Sequence, residues 1–379
     1  MDFYAESIKM HKKYQGKLET VSRVPVVTRE DLSLAYSPGV AEPCREIAAD
    51  KSKVYDYTLK GRTVAVISDG SAVLGLGDIG PEASLPVMEG KCVLFKEFAG
   101  LDAFPIVLDV HDVEGIIAAV KAIAPTFGGI NLEDIASPKC FEIEERLKAE
   151  LDIPVMHDDQ HGTAIVTLAA LINSLKVVEK DADKVRVVLS GPGAAGTAVM
   201  KLLHLYGVRH IIACDSKGMV SPSRTDLDSS KMKLLEFTNL EGRSGSLADA
   251  LVGADVFIGL SAPNVIDRTH VATMAKDAII FAMANPTPEI MPDEARAGGA
   301  RICGTGRSDM PNQINNVLAF PGIFKGVLAS GKKKITDEMK LTAARALASA
   351  VKDPTQDMVI PNALDKSVVD VVARAMMEA

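Results

Sequence analysis

Apolar positions along the chain fall into two successive alternations of short β-branched runs and longer helical stretches. The first opens with TVAVIS, Thr63–Ser68, which runs into Asp69-Gly70 and reads as a buried strand closed by a turn. Further strands are predicted at 92–95, 106–109, 129–132 and 154–156, separated by helices at 113–124 and 140–151. A long apolar stretch at 163–178 predicts a helix that bridges two domains. The second alternation predicts strands at 185–190, 210–215, 256–259 and 278–282, with helices at 194–206, 247–251 and 271–275. Residues 1–20 read as a helix, 21–40 as a Pro- and Gly-punctuated loop, and 332 onward as helical. The expected fold class is α/β, with each alternation layered on a mostly parallel sheet. The expected units are 1–160, 161–330, and a C-terminal helical segment, 331–379, packing back on both.

Composition narrows the picture. A chain of 379 residues suits two or three domains, and 47% hydrophobic residues can bury a large core. Trp is absent and aromatics are 4%, so that core must be aliphatic. A net charge of −8 argues against a phosphate-neutralising nucleic-acid binder and against an anionic membrane partner. A small anionic substrate is still compatible, because a metal or local cations outweigh global charge. The five cysteines are widely spaced with no CxxC pair, as in a reduced protein. The N-terminus has no apolar signal core, and no run reaches membrane-spanning length. A cytoplasmic location is expected.

The strongest local motif is Gly191-Pro192-Gly193-Ala194-Ala195-Gly196. It follows a predicted strand, opens a predicted helix, and is followed by a second strand ending in Asp215. That βαβ context identifies a Rossmann-type, doubly wound dinucleotide-binding domain, with backbone N–H groups and a helix N-terminus meeting the pyrophosphate. Asp215 stands where an acid would bind ribose hydroxyls and so favours NAD, while Lys217 and Arg224 are near enough in sequence to accept the phosphate of NADP. A second match, Gly75-Leu76-Gly77-Asp78-Ile79-Gly80, is a poor phosphate cradle: Asp78 would put negative charge inside it, and Pro81 and Pro86 follow.

Two acidic pairs follow predicted strands: Glu133-Asp134 after 129–132, and Asp158-Asp159 after 154–156. Strand C-termini of a parallel sheet share one edge, so the pairs could converge on a hard divalent ion, Mg²⁺ or Mn²⁺. The alternative is a helix cap, with Asp159 opening the following helix. His157 and His161 flank the pair and read best as structural histidines. Lys91 enters the predicted strand 92–95, where burial would lower its pKa and suit it as a base. Tyr36 sits in a Pro/Gly loop that could aim a phenol into a cleft. Alone, these two read more simply as a strand-end charge and a packed ring.

Together the segments resemble the malic enzyme family in its short, prokaryote-like form. The resemblance rests on Ala35-Tyr36-Ser37-Pro38-Gly39-Val40, Ser68-Asp69-Gly70 through Pro81, and Gly90-Lys91 through Gly100. It continues through Asn131-Leu132-Glu133-Asp134, His157-Asp158-Asp159-Gln160-His161-Gly162-Thr163, Ala284-Asn285-Pro286-Thr287, and Asn315-Asn316 through Phe320-Pro321-Gly322. It implies metal-dependent oxidative decarboxylation of L-malate to pyruvate and CO₂, with reduction of NAD or NADP. By carry-over, 1–160 is the substrate and metal domain, and Glu133, Asp134 and Asp159 hold Mn²⁺ or Mg²⁺. Asp158 supports the metal or relays a proton, Lys91 is the general base and Tyr36 the general acid. Asn285 and one of Asn315 and Asn316 would hold substrate or nicotinamide. A homodimer is expected.

One position departs from the family. Larger members carry a malate-gripping arginine two residues after the Asp-Gly turn, where this chain has Ala72, preceded by Ser71. Carboxylate recognition must differ here, through Ser71 or another cation. Two enzyme alternatives predict other outcomes: malolactic chemistry releases lactate without net NADH, and an amino-acid dehydrogenase needs ammonia and no metal. A nucleotide-binding scaffold would show no turnover.

Overall fold

The computed structural model describes residues 2–73 and 75–379. Helices α1 (Phe3–Tyr14), α2 (Arg29–Ala35), α3 (Ala41–Ala49) and α4 (Val54–Tyr57) open the chain. None of them contains a buried residue, so this arm has no core of its own. It touches the body through Lys17, whose backbone N–H and ammonium donate to Glu89 (3.1 Å) and to the Pro86 carbonyl (2.6 Å).

The first sheet is built from β1 (Thr63–Ser68), α5 (Pro81–Leu94), β2 (Asp102–Val107), α6 (Val113–Ile123), β3 (Gly129–Leu132), α7 (Lys139–Glu150) and β4 (Val155–His157). Its strands are parallel in the order β2-β1-β3-β4. β1 is buried at every position, as its unbroken apolar run requires when helices cover both faces. The strand order reverses between β1 and β3, so Asp69 and Glu133, which follow those strands, flank the switch point where open α/β sheets bind ligands.

Residues 92–95 are helical rather than extended, so Lys91 lies near the C-terminal end of α5. Met88, Cys92 and Phe95 form a buried stripe at helical spacing, and that packing overrides the β propensity of Cys-Val-Leu-Phe. β2 begins at Asp102, four residues before the predicted strand. Helix α8 (Asp158–Val178) also begins earlier than the pattern indicated. It crosses residue 160, the expected domain boundary, without interruption. α8 is long and apolar enough to span a membrane by composition, but it is a core helix, packed on the coenzyme-domain helix α9 (Ala194–Tyr206).

The second sheet contains β5 (Arg186–Ser190), β6 (His210–Asp215), β7 (Gly218–Met219), β8 (Val256–Gly259), β9 (Ala278–Ala282) and β10 (Ala300–Thr305), in the order β10-β9-β8-β5-β6-β7. Only β7 is antiparallel. Helices α10 (Ser229–Leu234), α11 (Leu247–Leu251), α12 (Arg268–Ala272) and α13 (Pro292–Ala297) lie among these strands. β10 escaped the sequence pattern because Arg301 and Gly304 interrupt its apolar run. The chain closes with α14 (Phe320–Ala329), α15 (Asp337–Ser349) and α16 (Ser367–Glu378). Asn173 of α8 donates to the carbonyls of Ala348 and Val359 (2.8 and 3.0 Å), tying this segment to the core. At Gly322 and Gly326 of α14 an added Cβ would come within 2.8 Å of Val372 and 2.3 Å of Ala373, so α16 packs at backbone distance.

Candidate active site

The ends of β3 and β4 and the C-terminal part of α5 converge on one buried cluster. The Lys91 ammonium donates to Asp158 Oδ2 at 2.6 Å and pairs with Glu133 Oε1 at 2.9 Å. Asn131 donates to the other Glu133 oxygen (2.8 Å), and Asn316 donates to Asp158 Oδ2 (2.5 Å). The Asp134 N–H donates to Asp159 Oδ2 at 2.7 Å. Asp134 takes a left-handed φ of 54°, a conformation Asp tolerates better than most residues. Lys91 also stands 4.3 Å from the ring centre of Phe320, a favourable contact for a desolvated cation.

Charge is unbalanced here, and the protonation equilibria reflect it. Burial pushes Glu133 and Asp159 above the usual carboxylate range, against the pull of Lys91. Burial likewise lifts Asp158 to about 7 despite the ammonium beside it. For Lys91, burial favours the neutral amine, but Asp158, Glu133 and Asp159 outweigh it and the pKa rises. Lys91 is therefore a charged, paired ammonium here, not the pKa-lowered amine that burial in a strand would have produced.

The donor set fits a hard divalent cation. Glu133, Asp134 and Asp159 each offer a carboxylate oxygen, and the three atoms lie within 4.8 Å of one another. Oxygen-only donors select Mg²⁺ or Mn²⁺ over softer metals. Gly162 makes the adjacent space: a Cβ there would stand 1.9 Å from Asp158 Oδ1, so only glycine admits this carboxylate.

The dinucleotide motif lies at the other switch point, between β5 and β8. A cavity of about 770 Å³ is lined by Gly191, Pro192 and Gly193 on one side and by Asp215, Lys231 and Ser261 on others. Gly193 caps α9 with no side-chain hydrogen bond, which leaves first-turn N–H groups for a phosphate. Gly191 has φ 97°, and a Cβ on Gly196 would come within 2.1 Å of the Gly191 carbonyl oxygen. Gly196→Ala must therefore deform the loop. Titration followed by the fluorescence of NADH or NADPH itself should show at least a roughly tenfold weaker Kd, ~1.4 kcal/mol. An unchanged Kd would remove the loop from the coenzyme site.

Asp215 is clamped by Arg224 in a two-pronged pair (2.8 and 3.0 Å) and by Lys231 (2.8 Å). Burial opposes its ionisation, but these cations win and hold it at about 2. The Lys217 ammonium goes instead to Asp226. Asp215 is thus less repulsive toward a ribose phosphate than its sequence position implied.

Other candidates fall elsewhere. Tyr36 ends α2, is 69% exposed and, among the described residues, makes no hydrogen bond to Lys91 or the carboxylates. The side chain of Asn315 caps the Asn316–Leu318 turn through the Val317 N–H (2.9 Å), leaving Asn316 as the asparagine that enters the cluster. Asn285 is exposed and precedes a cis peptide to Pro286. The Ser71 hydroxyl is committed, donating to Asp69 (2.6 Å) and accepting from the Ala136 N–H (2.9 Å). Gly80 of the second glycine motif leads into α5, the helix that carries Lys91. Both histidines lie outside the carboxylate donor set. His157 is fully buried and burial lowers its pKa; His161 meets Glu144 at 2.9 Å and burial lowers it to about 4. Glu144, which also accepts from the His157 N–H (2.9 Å), was not foreseen. Its only sequence signal is an acid at an inward position of α7.

Comparison with known proteins agrees with this geometry. The malic enzyme N-terminal domain family matches residues 15–148, and the malic enzyme NAD binding domain family matches 160–378. The chain is 58% identical to the bifunctional malic/malolactic enzyme of Bacillus subtilis (strain 168), over 100% of this chain and 93% of that one. It is 56% identical to the NAD-dependent malic enzyme of Geobacillus stearothermophilus, over 96% of this chain and 76% of that one. The crystal structure of NAD-dependent malic enzyme from Thermotoga maritima superposes with a TM-score of 0.95 at 49% identity, covering 98% of each chain. With both of its domains matched and its fold shared, the chain belongs to the malic enzyme family.

Proposed function

We propose that this protein oxidatively decarboxylates L-malate to pyruvate and CO₂, reducing NAD or NADP, with a divalent cation held by Glu133, Asp134 and Asp159. The observation that carries this reading is the buried cluster itself: one ammonium among four carboxylates, at the switch point of a sheet beside a dinucleotide domain. Bound nicotinamide supplies the hydride acceptor at the C2 carbon. A cation in the carboxylate triad would polarise the C2 oxygen and stabilise the charge that develops as CO₂ leaves. Lys91 is the proposed base for the C2 hydroxyl; to act it first yields its own proton to Asp158, 2.6 Å away. Asn316 holds Asp158 in place for that exchange. Tyr36 is the proposed acid that protonates C3.

Tyr36 shares the exposed arm with Phe3, Tyr4, Val27 and Leu34, all more than 70% exposed except Tyr36 itself at 69%. A second copy of this chain would cover these side chains, which supports a homodimer. Light scattering should give twice the chain mass; deleting residues 1–40 should give a monomer without activity. Four of the five cysteines are buried free thiols, which supports a reducing, cytoplasmic setting.

The direct test follows absorbance at 340 nm with malate, Mn²⁺, and NAD or NADP in parallel. Reduced coenzyme should form in proportion to pyruvate. Absence of signal with both coenzymes would sink the proposal. Likeness to the Bacillus subtilis enzyme motivates a second reading, in which lactate accumulates without net NADH. A lactate assay on the same mixture separates the two.

A further inference from the structure

A C4 dicarboxylate needs positive charge, and the cluster described above has little to spare. Lys91 is already paired with Asp158 and Glu133, and a divalent ion would be taken up by Glu133, Asp134 and Asp159. Lys139 is closed on buried Asp69, the Ser71 hydroxyl is committed, and Ala72 offers only a methyl group. We propose that Arg307 supplies the missing grip, exchanging Asp309 for a carboxylate of the substrate. This rests on the malate reading above.

Arg307 lies two residues beyond β10, whose last residue, Thr305, is in register with Ala282 of β9. The chain leaving β9 reaches Asn285, and Arg307 Nη1 donates to the next carbonyl, Pro286, at 2.9 Å. Gly306 lies against the Asn285 side chain, where a Cβ would stand 2.9 Å from the amide nitrogen. Gly75 lies against the Asn285 carbonyl, where a Cβ would stand 2.6 Å away. Gly75 belongs to the same loop as Ala72, whose N–H donates to the carbonyl of Asp134 at 3.0 Å. Backbone contacts thus run from Asp134 through the Ala72 loop to Asn285 and Arg307. These contacts set Arg307 beside the Asn285-Pro286 corner, which Gly75, three residues after Ala72, also touches.

The present partner of Arg307 shows the fork in use. Nε donates to Asp309 Oδ1 at 2.9 Å and Nη2 to Oδ2 at 2.7 Å, the two-pronged geometry of arginine and carboxylate. Asp309 is 57% exposed, and exposed pairs contribute little, so a better-placed carboxylate can displace it. Lysine lacks the planar fork and would replace arginine poorly.

Steady-state kinetics of the Mn²⁺-loaded protein test the assignment, using Arg307→Gln, Arg307→Lys, Arg307→Ala and Asp309→Asn. Arg307→Gln should raise the malate KM roughly 10- to 100-fold, with a smaller fall in kcat and an unchanged coenzyme KM. Arg307→Lys should recover part of the loss, and free guanidinium should partly rescue Arg307→Ala. Asp309→Asn should lower the malate KM by removing the competitor. An unchanged malate KM in Arg307→Gln, or equal losses for malate and coenzyme, would overturn the proposal. Binding of tartronate, a three-carbon dicarboxylate, is followed in parallel by calorimetry. If the unmodified protein does not turn over malate, the function above fails. The grip then stands or falls on whether Arg307→Gln weakens tartronate binding roughly 10- to 100-fold.

Discussion

Lys91→Met will lower kcat for malate by about 10² to 10⁴, the range expected when a positioned proton-transfer group is removed. Methionine keeps much of the length and apolar contact of the lysine stem, so the stripe of Met88, Cys92 and Phe95 is not disturbed. It removes the ammonium that Asp158 and Glu133 face at 2.6 and 2.9 Å. Deleting one partner of a buried pair costs ~3–5 kcal/mol when the other stays charged. Here both carboxylates are already pushed upward by burial and can take up a proton, so the loss of stability should be smaller. The check is a kcat and KM series with circular dichroism of the Mn²⁺-loaded variant. A folded Lys91→Met protein with kcat within threefold of the parent would exclude Lys91 as the base.

The second large effect concerns the cation. Chelation should abolish turnover and also lower the melting temperature by several degrees, since an ion at 100 times its Kd adds ~2.7 kcal/mol. Asp159→Asn removes one of three carboxylate donors and should lose both the activity and the Mn²⁺-dependent gain in stability. The gain should also depend on pH, with a sign opposite to that of an ordinary ion-paired aspartate. Asp158 is lifted from 3.8 to about 7, so the folded, metal-free chain holds this proton more tightly than the unfolded chain. Its contribution to metal-free stability is greatest at low pH and falls as pH rises through about 7. The Mn²⁺ gain should therefore widen over that interval. Calorimetric scans with Mn²⁺ or chelator at pH 5.5 and 8 measure it, and an equal gain at both values would contradict the account.

The coenzyme domain was largely legible because its signals are local. Strand 210–215, helix 194–206 and the glycine loop each declare themselves within a few residues, and the structure has them at those positions. The N-terminal domain was legible in part. Glu133-Asp134 and Asp158-Asp159 stood out because both pairs follow strands, and parallel topology brings such ends together. What stayed hidden depends on distance along the chain. Nothing local links Lys91 to Asp158, 67 positions away, or Asn316 to the same carboxylate, 158 positions away. The stretch 92–95 misled because its neighbours in space, Phe320 and Phe324, make it the inner face of a helix. Tyr36 stood in a recognisable motif, yet one copy of the chain leaves its ring exposed.

Helix α8 begins with Asp158 and Asp159 and continues as the buried rod on which α9 packs, and α9 begins at the glycine loop. Two ligand sites on different sheets therefore share one lever. If a pyrophosphate settling at its N-terminus tilts α9, the packing of α9 on α8 gives that tilt a route to the spacing between Asp159 and the pair Glu133-Asp134. Coenzyme and cation would then be heterotropic partners, and Mn²⁺ titrations with and without coenzyme should give different Kd values. Whatever factor one adds to the affinity of the other is returned in equal measure, because the coupling free energy belongs to the pair.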